Sequence, residues 1–212
     1  GRGAIGPHLA RTRWRRLEND AGRNFPQTPN RGHIMRRLLL LRHAKTESDA
    51  PSGSDRDRRL SPRGLKDAAE LGAWLAGQRS LLPDLVFIST AVRACATWDI
   101  VQQQISDEVS QELAARLPDL YGAAPTQLLA LIRSAAARNS RRLMIVGHNP
   151  GLHELALGLT GGGDAAGRAA LARNLPTSGL VVIDFAIERW DDVAFGGGRL
   201  AQFISPKLLK EA

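Results

Sequence analysis

Short, continuous apolar runs alternate along this chain with segments of helical periodicity, and this alternation constrains the fold more than any other feature. Residues 38–41, 85–88 and 143–146 have the length and composition of strands that are buried on both faces. Two further apolar runs, at residues 180–185 and 200–204, predict late strands. Because helical segments separate the early strands, we expect a mainly parallel sheet with helices on both of its faces.

Small polar residues and prolines mark the predicted helix starts. Ser61-Pro62 and Asn149-Pro150 each combine a capping side chain with a proline at the first helical position. Ser89-Thr90 and Pro125 are expected to open two more helices. Two glycine clusters lack the spacing of a phosphate-binding loop and are predicted to be turns, at residues 161–163 and 196–198.

The length and composition predict one folded domain. The chain has 212 residues, of which 43% are hydrophobic, which is enough for a single substantial core. We place this domain at residues 35–212. Residues 1–34 mix Arg, Gly, Pro and Asn without periodicity, so we expect them to be a disordered, Arg-rich extension that precedes a natural start at Met35.

The distribution of charge argues against a nucleic-acid partner. Residues 1–34 carry +5 of the formal net charge of +8, so the predicted domain is only mildly basic. No apolar run approaches the roughly 20 residues of a membrane span, and no membrane association is expected. The single cysteine, Cys95, rules out an intrachain disulfide and is compatible with the cytoplasm, where we expect the protein to be.

Conspicuous polar residues follow three of the predicted strands. Arg42 and His43 come after the first, Arg93 lies in the first turn after the second, and His148 comes after the third. Ligands of parallel sheets bind beyond the carboxyl ends of the strands, and helix N-termini favour anions. These four side chains therefore predict a phosphate site. His153, inside a predicted helix, and Cys95 are interpreted as structural residues.

Four segments, taken in order, resemble the histidine phosphatase superfamily, the phosphoglycerate-mutase-like group. The segments are Arg42-His43-Ala44-Lys45, Leu60-Ser61-Pro62-Arg63-Gly64, Ser89-Thr90-Ala91-Val92-Arg93 with Thr97, and Val146-Gly147-His148-Asn149-Pro150. Their order and spacing are similar to the SixA-type phosphohistidine phosphatase branch, over about residues 35 to 205. This resemblance implies a three-layer αβα sandwich with a mainly parallel central sheet.

The resemblance also implies a role for each candidate residue. His43 takes the place of the family's nucleophile, Arg42 and Arg93 match the arginines that clamp the phosphate, and His148 matches the second histidine that stabilises the transferring group. Arg58 matches a further arginine of the SixA-type branch, although Arg59 stands where proline is usual. Asn149, next to His148, is an additional candidate for substrate binding.

The proton donor has no clear counterpart in the sequence. Many members of the family use a separate acidic residue, for which Asp119 and Glu47 are the candidates here. No metal or other cofactor is expected, because arginine side chains can supply the positive charge that phosphoryl transfer needs.

These features predict a metal-independent phosphatase with a phosphohistidine enzyme intermediate. The compact length favours phosphohistidine in a partner protein as the substrate. The alternatives are a phosphatase of small phosphomonoesters, which would use the same site, and, with less support, a noncatalytic phosphate-binding module.

Overall fold

The computed structural model describes residues 35–105 and 114–211. The predicted extension, residues 1–34, lies outside these described residues. In the described part, the strands and helices are β1 (Arg36–Arg42), α1 (Pro62–Ala76), β2 (Leu85–Ser89), α2 (Val92–Ile105), β3 (Ala114–Leu117), α3 (Pro125–Ser134), β4 (Arg142–Gly147), α4 (Gly151–Leu159), β5 (Thr160–Gly163), α5 (Ala165–Arg173), β6 (Leu180–Phe185), β7 (Gly198–Ile204) and α6 (Pro206–Glu211).

The described strands form one mixed sheet in the order β3-β2-β4-β1-β6-β7-β5. The pairs β3–β2, β2–β4, β4–β1 and β7–β5 are parallel, whereas β6 runs antiparallel to both β1 and β7. The mainly parallel sheet predicted from the alternation of elements is thus confirmed. Strand β6, the antiparallel member, lies next to β1 on the side away from β4 and β2, and β7, beyond it, runs in the same direction as β1.

Alternate side chains of β1 serve two different cores. Leu38 and Leu40 pack into a core with residues of α3, α4 and α5, whereas Leu39 and Leu41 pack into a second core with residues of α1 and α2. All four leucines are fully buried. This pattern explains why the strand is continuously apolar, since both of its faces are covered, and it gives the three-layer αβα architecture.

Two helix starts follow the predicted capping pattern to different degrees. The Oγ of Ser61 accepts a hydrogen bond from the Gly64 amide, and Pro62 is the first residue of α1, as predicted. The helix α4 instead begins at Gly151, and Asn149 does not cap it. The Asn149 side chain donates to the Leu175 carbonyl instead, because a neighbouring segment offers it a tertiary partner.

The prediction of a turn at residues 161–163 is wrong, because these glycines belong to strand β5. A Cβ atom at Gly161 would lie 2.0 Å from the Gly196 carbonyl oxygen, so only glycine allows this close approach to the segment before β7. Strand β3 and helix α5 were not predicted. Strand β3 is a four-residue strand of partly exposed residues and lacks the apolar run of a buried strand.

Candidate active site

The order of the strands brings the predicted site residues together. Strand β4 lies between β1 and β2, and all three are parallel, so their carboxyl ends meet at one edge of the sheet. Arg42 ends β1 opposite Gly147 at the end of β4, and His43 and His148 follow directly. The ring centroids of the two histidines are 5.1 Å apart.

The ring of His43 is held in one tautomer by the main-chain carbonyl of the next residue, Ala44. Nδ1 lies 2.8 Å from the carbonyl oxygen of Ala44, which can only accept a hydrogen bond, so Nδ1 carries the proton. Nε2 is therefore left with its lone pair. Burial lowers the pKa of His43 to about 4, opposed by the Ala44 hydrogen bond and reinforced by the positive charges of Arg93, Arg42 and Arg58. The imidazole is therefore neutral at pH 7, and the lone pair of Nε2 is not protonated.

The ring of His148 contacts a buried serine. Its Nε2 lies 2.7 Å from the Oγ of Ser89, which is fully buried, while Nδ1 has no hydrogen-bond partner. Burial, followed by the proximity of His43 and Arg93, lowers the pKa of His148 to about 3. The imidazole is therefore neutral, and one of its ring nitrogens remains available to a ligand.

Arg93 enters the site from the first turn of α2 and is 6% exposed. Its Nη1 and Nη2 donate to the main-chain carbonyl and the carboxylate of Asp55, at 2.6 and 2.8 Å. Thr97, one turn further along α2, accepts a hydrogen bond from the amide of Ala44 and donates to the Arg93 carbonyl. This bridge ties the segment after His43 to the helix that carries Arg93.

Arg58 follows a single 3-10 turn, Asp55–Asp57, and is half-buried. Its guanidinium donates to the Oγ1 of Thr46, the carbonyl of Glu47 and the Oδ1 of Asp55. Because its charge contributes to the lowered pKa of His43, this arginine belongs to the electrostatic environment of the candidate nucleophile.

Arg42 and Asn149 share a partner on the segment before β6. The Nη1 of Arg42 and the Nδ2 of Asn149 donate to the carbonyl of Leu175, at 2.8 and 3.0 Å. The Nε of Arg42 and the Oδ1 of Asn149 have no hydrogen-bond partner and are buried. Both side chains are thus oriented by one carbonyl while each keeps a polar atom that a ligand could use.

Asp55 and Tyr121 were missed by the sequence analysis. The Asp55 carboxylate accepts hydrogen bonds from Tyr121, Arg58 and Arg93, of which the one from Tyr121 contributes most to lowering its pKa to about 2. The Tyr121 ring lies edge-on to His148, with centroids 5.4 Å apart. Asp55 stands among several acidic residues of a polar segment, and no local pattern distinguishes it from them.

The two candidate proton donors, Glu47 and Asp119, are both exposed. Within residues 35–105 and 114–211, neither side chain makes a hydrogen bond or ion pair with the histidines or arginines of the site. Of the residues interpreted as structural, His153 has its Nε2 2.6 Å from the Leu171 carbonyl, and the thiol of Cys95 lies 3.4 Å from the Ser89 carbonyl.

The described residues contain no group of three histidine, cysteine, aspartate or glutamate side chains placed to hold a metal ion. No helix in the same part of the chain is both long and apolar enough to cross a membrane. Among the described residues, the guanidinium groups of Arg42, Arg58 and Arg93 lie close enough to His43 for their charges to lower its pKa, so they offer positive charge to an anion at this site.

Comparisons with known proteins agree with this geometry. Residues 38–120 match the model of the histidine phosphatase superfamily (branch 1). The Mycobacterium tuberculosis protein Rv1276c, which is itself uncharacterized, is 37% identical over 173 residues, which cover 79% of this chain and all of that protein. An Arabidopsis thaliana chloroplastic protein, At3g52155, is 33% identical over 65% of each chain.

Solved structures extend the likeness to the fold. The structure of SixA from Agrobacterium tumefaciens, assigned as a phosphohistidine phosphatase, is 32% identical, has a TM-score of 0.65, and covers 81% of this chain and 98% of its own. A protein histidine phosphatase SixA complexed with tungstate has a TM-score of 0.65 at 21% identity, covering 82% of this chain and 99% of its own, and so supports the fold alone.

Proposed function

This chain belongs to the histidine phosphatase superfamily and is a phosphatase, and we propose that its substrate is phosphohistidine in a partner protein. A solved relative at 32% identity is assigned as a phosphohistidine phosphatase, which supports this choice of substrate. The observation that carries the proposal is the set of hydrogen bonds that the Asp55 carboxylate accepts from Arg93, Arg58 and Tyr121, which hold it as an acceptor with no proton to donate.

The leaving group decides whether a phosphatase needs an acid. An alkoxide that departs from a phosphomonoester must be protonated, and a general acid does this with a pKa near the working pH. Asp55 is a carboxylate at neutral pH, because its pKa is lowered to about 2 by the hydrogen bond from Tyr121 and by the two arginines. Phosphohistidine avoids this demand, since its imidazole leaves as a neutral ring when the second ring nitrogen carries a proton.

His43 is the proposed nucleophile. The lone pair of Nε2 forms a bond to phosphorus as the bond between phosphorus and the substrate's imidazole breaks, and the bonding electrons return to that ring. A water molecule then attacks the phosphorus of the phosphohistidine enzyme, Nε2 regains its lone pair, and the proton of the water passes to phosphate or solvent. The low pKa of His43 supports this role, because the ring is unprotonated at neutral pH.

The other candidate residues bind the phosphoryl group in this proposal. Its charge is spread over three equatorial oxygens in the transition state, and Arg42, Arg58 and Arg93 supply fixed positive charge there. His148 donates a hydrogen bond from its unpartnered ring nitrogen, and Asn149 orients the substrate beside it. We also propose a cytoplasmic location, with which the unpaired thiol of Cys95 is compatible.

Phosphate release at neutral pH in the presence of EDTA tests this function. A phosphohistidine peptide and a panel of small phosphomonoesters are compared for the wild type, His43→Ala and His153→Ala. His153 is a matched control, because it is a histidine of α4 whose ring forms a hydrogen bond with the Leu171 carbonyl, outside the site. We expect EDTA-resistant release that prefers the peptide, is abolished in His43→Ala and persists in His153→Ala.

Other outcomes of this assay would contradict parts of the proposal. Preference for a phosphomonoester would contradict the proposal that phosphohistidine is the substrate, but not the proposal that His43 is the nucleophile. Full activity of His43→Ala would contradict the nucleophile itself. Release from neither class of substrate, with phosphate still bound, would favour a noncatalytic phosphate-binding module.

A further inference from the structure

The Asp55 carboxylate accepts hydrogen bonds from side chains that are candidates for binding phosphate. Its Oδ2 accepts hydrogen bonds from the Nη2 of Arg93 and from the hydroxyl of Tyr121, both at 2.8 Å, and its Oδ1 accepts one from the Nη1 of Arg58 at 3.2 Å. A carboxylate and a phosphate both present negatively charged oxygens that suit the fork of a guanidinium group. Asp55 thus satisfies two arginines in the manner of a bound anion.

Asp55 occupies one edge of the Arg93 guanidinium. Both of its terminal nitrogens donate to Asp55, one to the carbonyl and one to the carboxylate, and its Nε is buried without a partner. A phosphate that binds this Nη1–Nη2 edge must displace the Asp55 carboxylate, and one that uses Nε and the remaining N–H groups would lie beside a second negative charge. In both arrangements the carboxylate opposes the binding of phosphate.

We propose that Asp55 is an internal competitor for the phosphate site, which holds Arg93 and Arg58 when no ligand is bound and gives them up to the phosphoryl group. This inference rests on the proposed function, because it takes these arginines as the phosphate clamp. In this proposal, Asp55 lowers the affinity of these arginines for inorganic phosphate, the product of the reaction.

The surroundings of Asp55 suit such an exchange. Its side chain is 51% exposed, whereas that of Arg93 is 7% exposed. On release, the carboxylate can be hydrated by solvent, while the buried guanidinium always has an anionic partner, either Asp55 or phosphate. Asp55 also lies in a single 3-10 turn, where a small rotation of the backbone moves the side chain without disturbing a longer element.

A second contact keeps this turn close to the site. The guanidinium of Arg56 lies over the Tyr121 ring, 4.5 Å from its centroid, and donates to the Oγ1 of Thr90 at 2.7 Å. These contacts keep the turn close to Arg93 and Arg58 when the Asp55 carboxylate is displaced. The carboxylate can therefore bind the arginines again when phosphate dissociates. The apparent affinity for phosphate is reduced by the fraction of molecules in which Asp55 holds the arginines.

The test compares binding of inorganic phosphate to the wild-type chain, Asp55→Asn and Asp57→Asn by calorimetric titration at neutral pH. Asparagine keeps the shape of residue 55 and its hydrogen-bonding oxygen but removes the charge. Asp57→Asn makes the same charge change in the same turn, where the carboxylate accepts a hydrogen bond from Ser52 and not from an arginine. It therefore controls for the general effect of one lost negative charge.

We expect Asp55→Asn to bind phosphate about fivefold more tightly than the wild type, and Asp57→Asn to differ from it by less than about twofold. Equal or weaker binding by Asp55→Asn would overturn the inference and leave the proposed function intact, because Asp55 would then only position the arginines. Absence of phosphate binding in all three proteins at millimolar concentration would overturn the clamp, and with it both proposals.

Thermal unfolding gives an independent readout on the same three proteins. Without phosphate, we expect Asp55→Asn to melt below the wild type, because Arg93 and Arg58 lose their anionic partner. At the same high phosphate concentration, its gain in Tm should exceed that of the wild type, since the stabilisation by a ligand increases with its affinity. A lower Tm with no larger gain would indicate a merely structural role and contradict competition.

Discussion

The hydroxyl oxygen of Ser89 lies 2.7 Å from Nε2 of His148, and the same oxygen accepts a hydrogen bond from the amide of Ala91. Among the described residues, Nε2 of His148 is the one acceptor within hydrogen-bond distance of this hydroxyl, so we infer that the hydroxyl proton points to His148. Nε2 then accepts, and the proton of the imidazole resides on Nδ1, the atom without a protein partner. A serine at the end of β2 thereby determines which ring nitrogen of His148 can donate to a phosphate oxygen.

Replacement of Ser89 tests this positioning role. We expect Ser89→Ala to lower kcat by roughly tenfold with little change in KM, because the donating tautomer is no longer enforced. Ser89→Thr keeps the hydroxyl and should restore most of the activity. Nitrogen NMR of His148 should show the proton on Nδ1 in the wild type and a mixture of tautomers in Ser89→Ala. An unchanged tautomer in that variant would refute the role.

The pH dependence of turnover should reflect the lowered pKa of His43. Burial and the nearby arginines hold this pKa at about 4, so the nucleophile stays neutral far below the ordinary value of 6.5. We expect kcat/KM, which reports the ligand-free enzyme, to show no loss from titration of His43 as the pH falls from 8 to about 5 and to drop as the pH approaches about 4. A decline centred near pH 6.5 would show that His43 titrates normally.

Stability should fall with acidification over a defined range. The pKa values of His43 and His148 are about 4 and about 3 in the folded protein, so between pH 6.5 and these values the unfolded chain binds protons that the folded protein does not. The free energy of unfolding should therefore decrease as the pH falls, by about 2 kcal/mol for each histidine between pH 6.5 and 5.

Urea unfolding at a series of pH values measures this linkage. The variant His148→Asn removes one of the two groups, so its free energy of unfolding should depend less steeply on pH over the same range. Equal slopes for the variant and the wild type would contradict a lowered pKa of His148.

The ionised state of Asp55 predicts a strong dependence of rate on the leaving group. Without a general acid, the departing oxygen of a phosphomonoester carries its full negative charge. For a series of substituted phenyl phosphates, we expect kcat/KM to fall by roughly tenfold for each unit of increase in the leaving-group pKa. A shallow dependence would reveal a proton donor at the site and would weaken the case for phosphohistidine.

Gly64 allows helix α1 to approach the segment after the nucleophile. A Cβ atom there would lie 2.0 Å from the carbonyl oxygen of Lys45, two residues after His43. We expect Gly64→Ala to displace this segment, to lower the free energy of unfolding by about 2 kcal/mol and to reduce kcat/KM. Gly77→Ala, at the end of α1, is the control, since its nearest contact would be an acceptable 3.4 Å. Equal effects of the two substitutions on activity would contradict this explanation.

Much of the fold follows from local patterns in the sequence. The apolar runs predicted β1, β2 and β4 because a strand covered on both faces needs apolar residues throughout. The glycines of β5 gave no such signal, since their place in the sheet depends on a close approach to a distant segment. Asn149 likewise resembles a helix cap in sequence, but the nearby Leu175 carbonyl takes its side chain.

The sequence by itself determined that Arg42, His43, Arg93 and His148 would meet, because residues that follow neighbouring parallel strands emerge at the same edge of the sheet. Only the tertiary structure decided that Asp55 would be held by Arg93 and by Tyr121, which lie 38 and 66 residues away along the chain. Periodicity reports the surroundings of a residue along its own strand or helix, whereas these partners come from separate loops. Their contact depends on how the helices pack on the sheet, which no local pattern encodes.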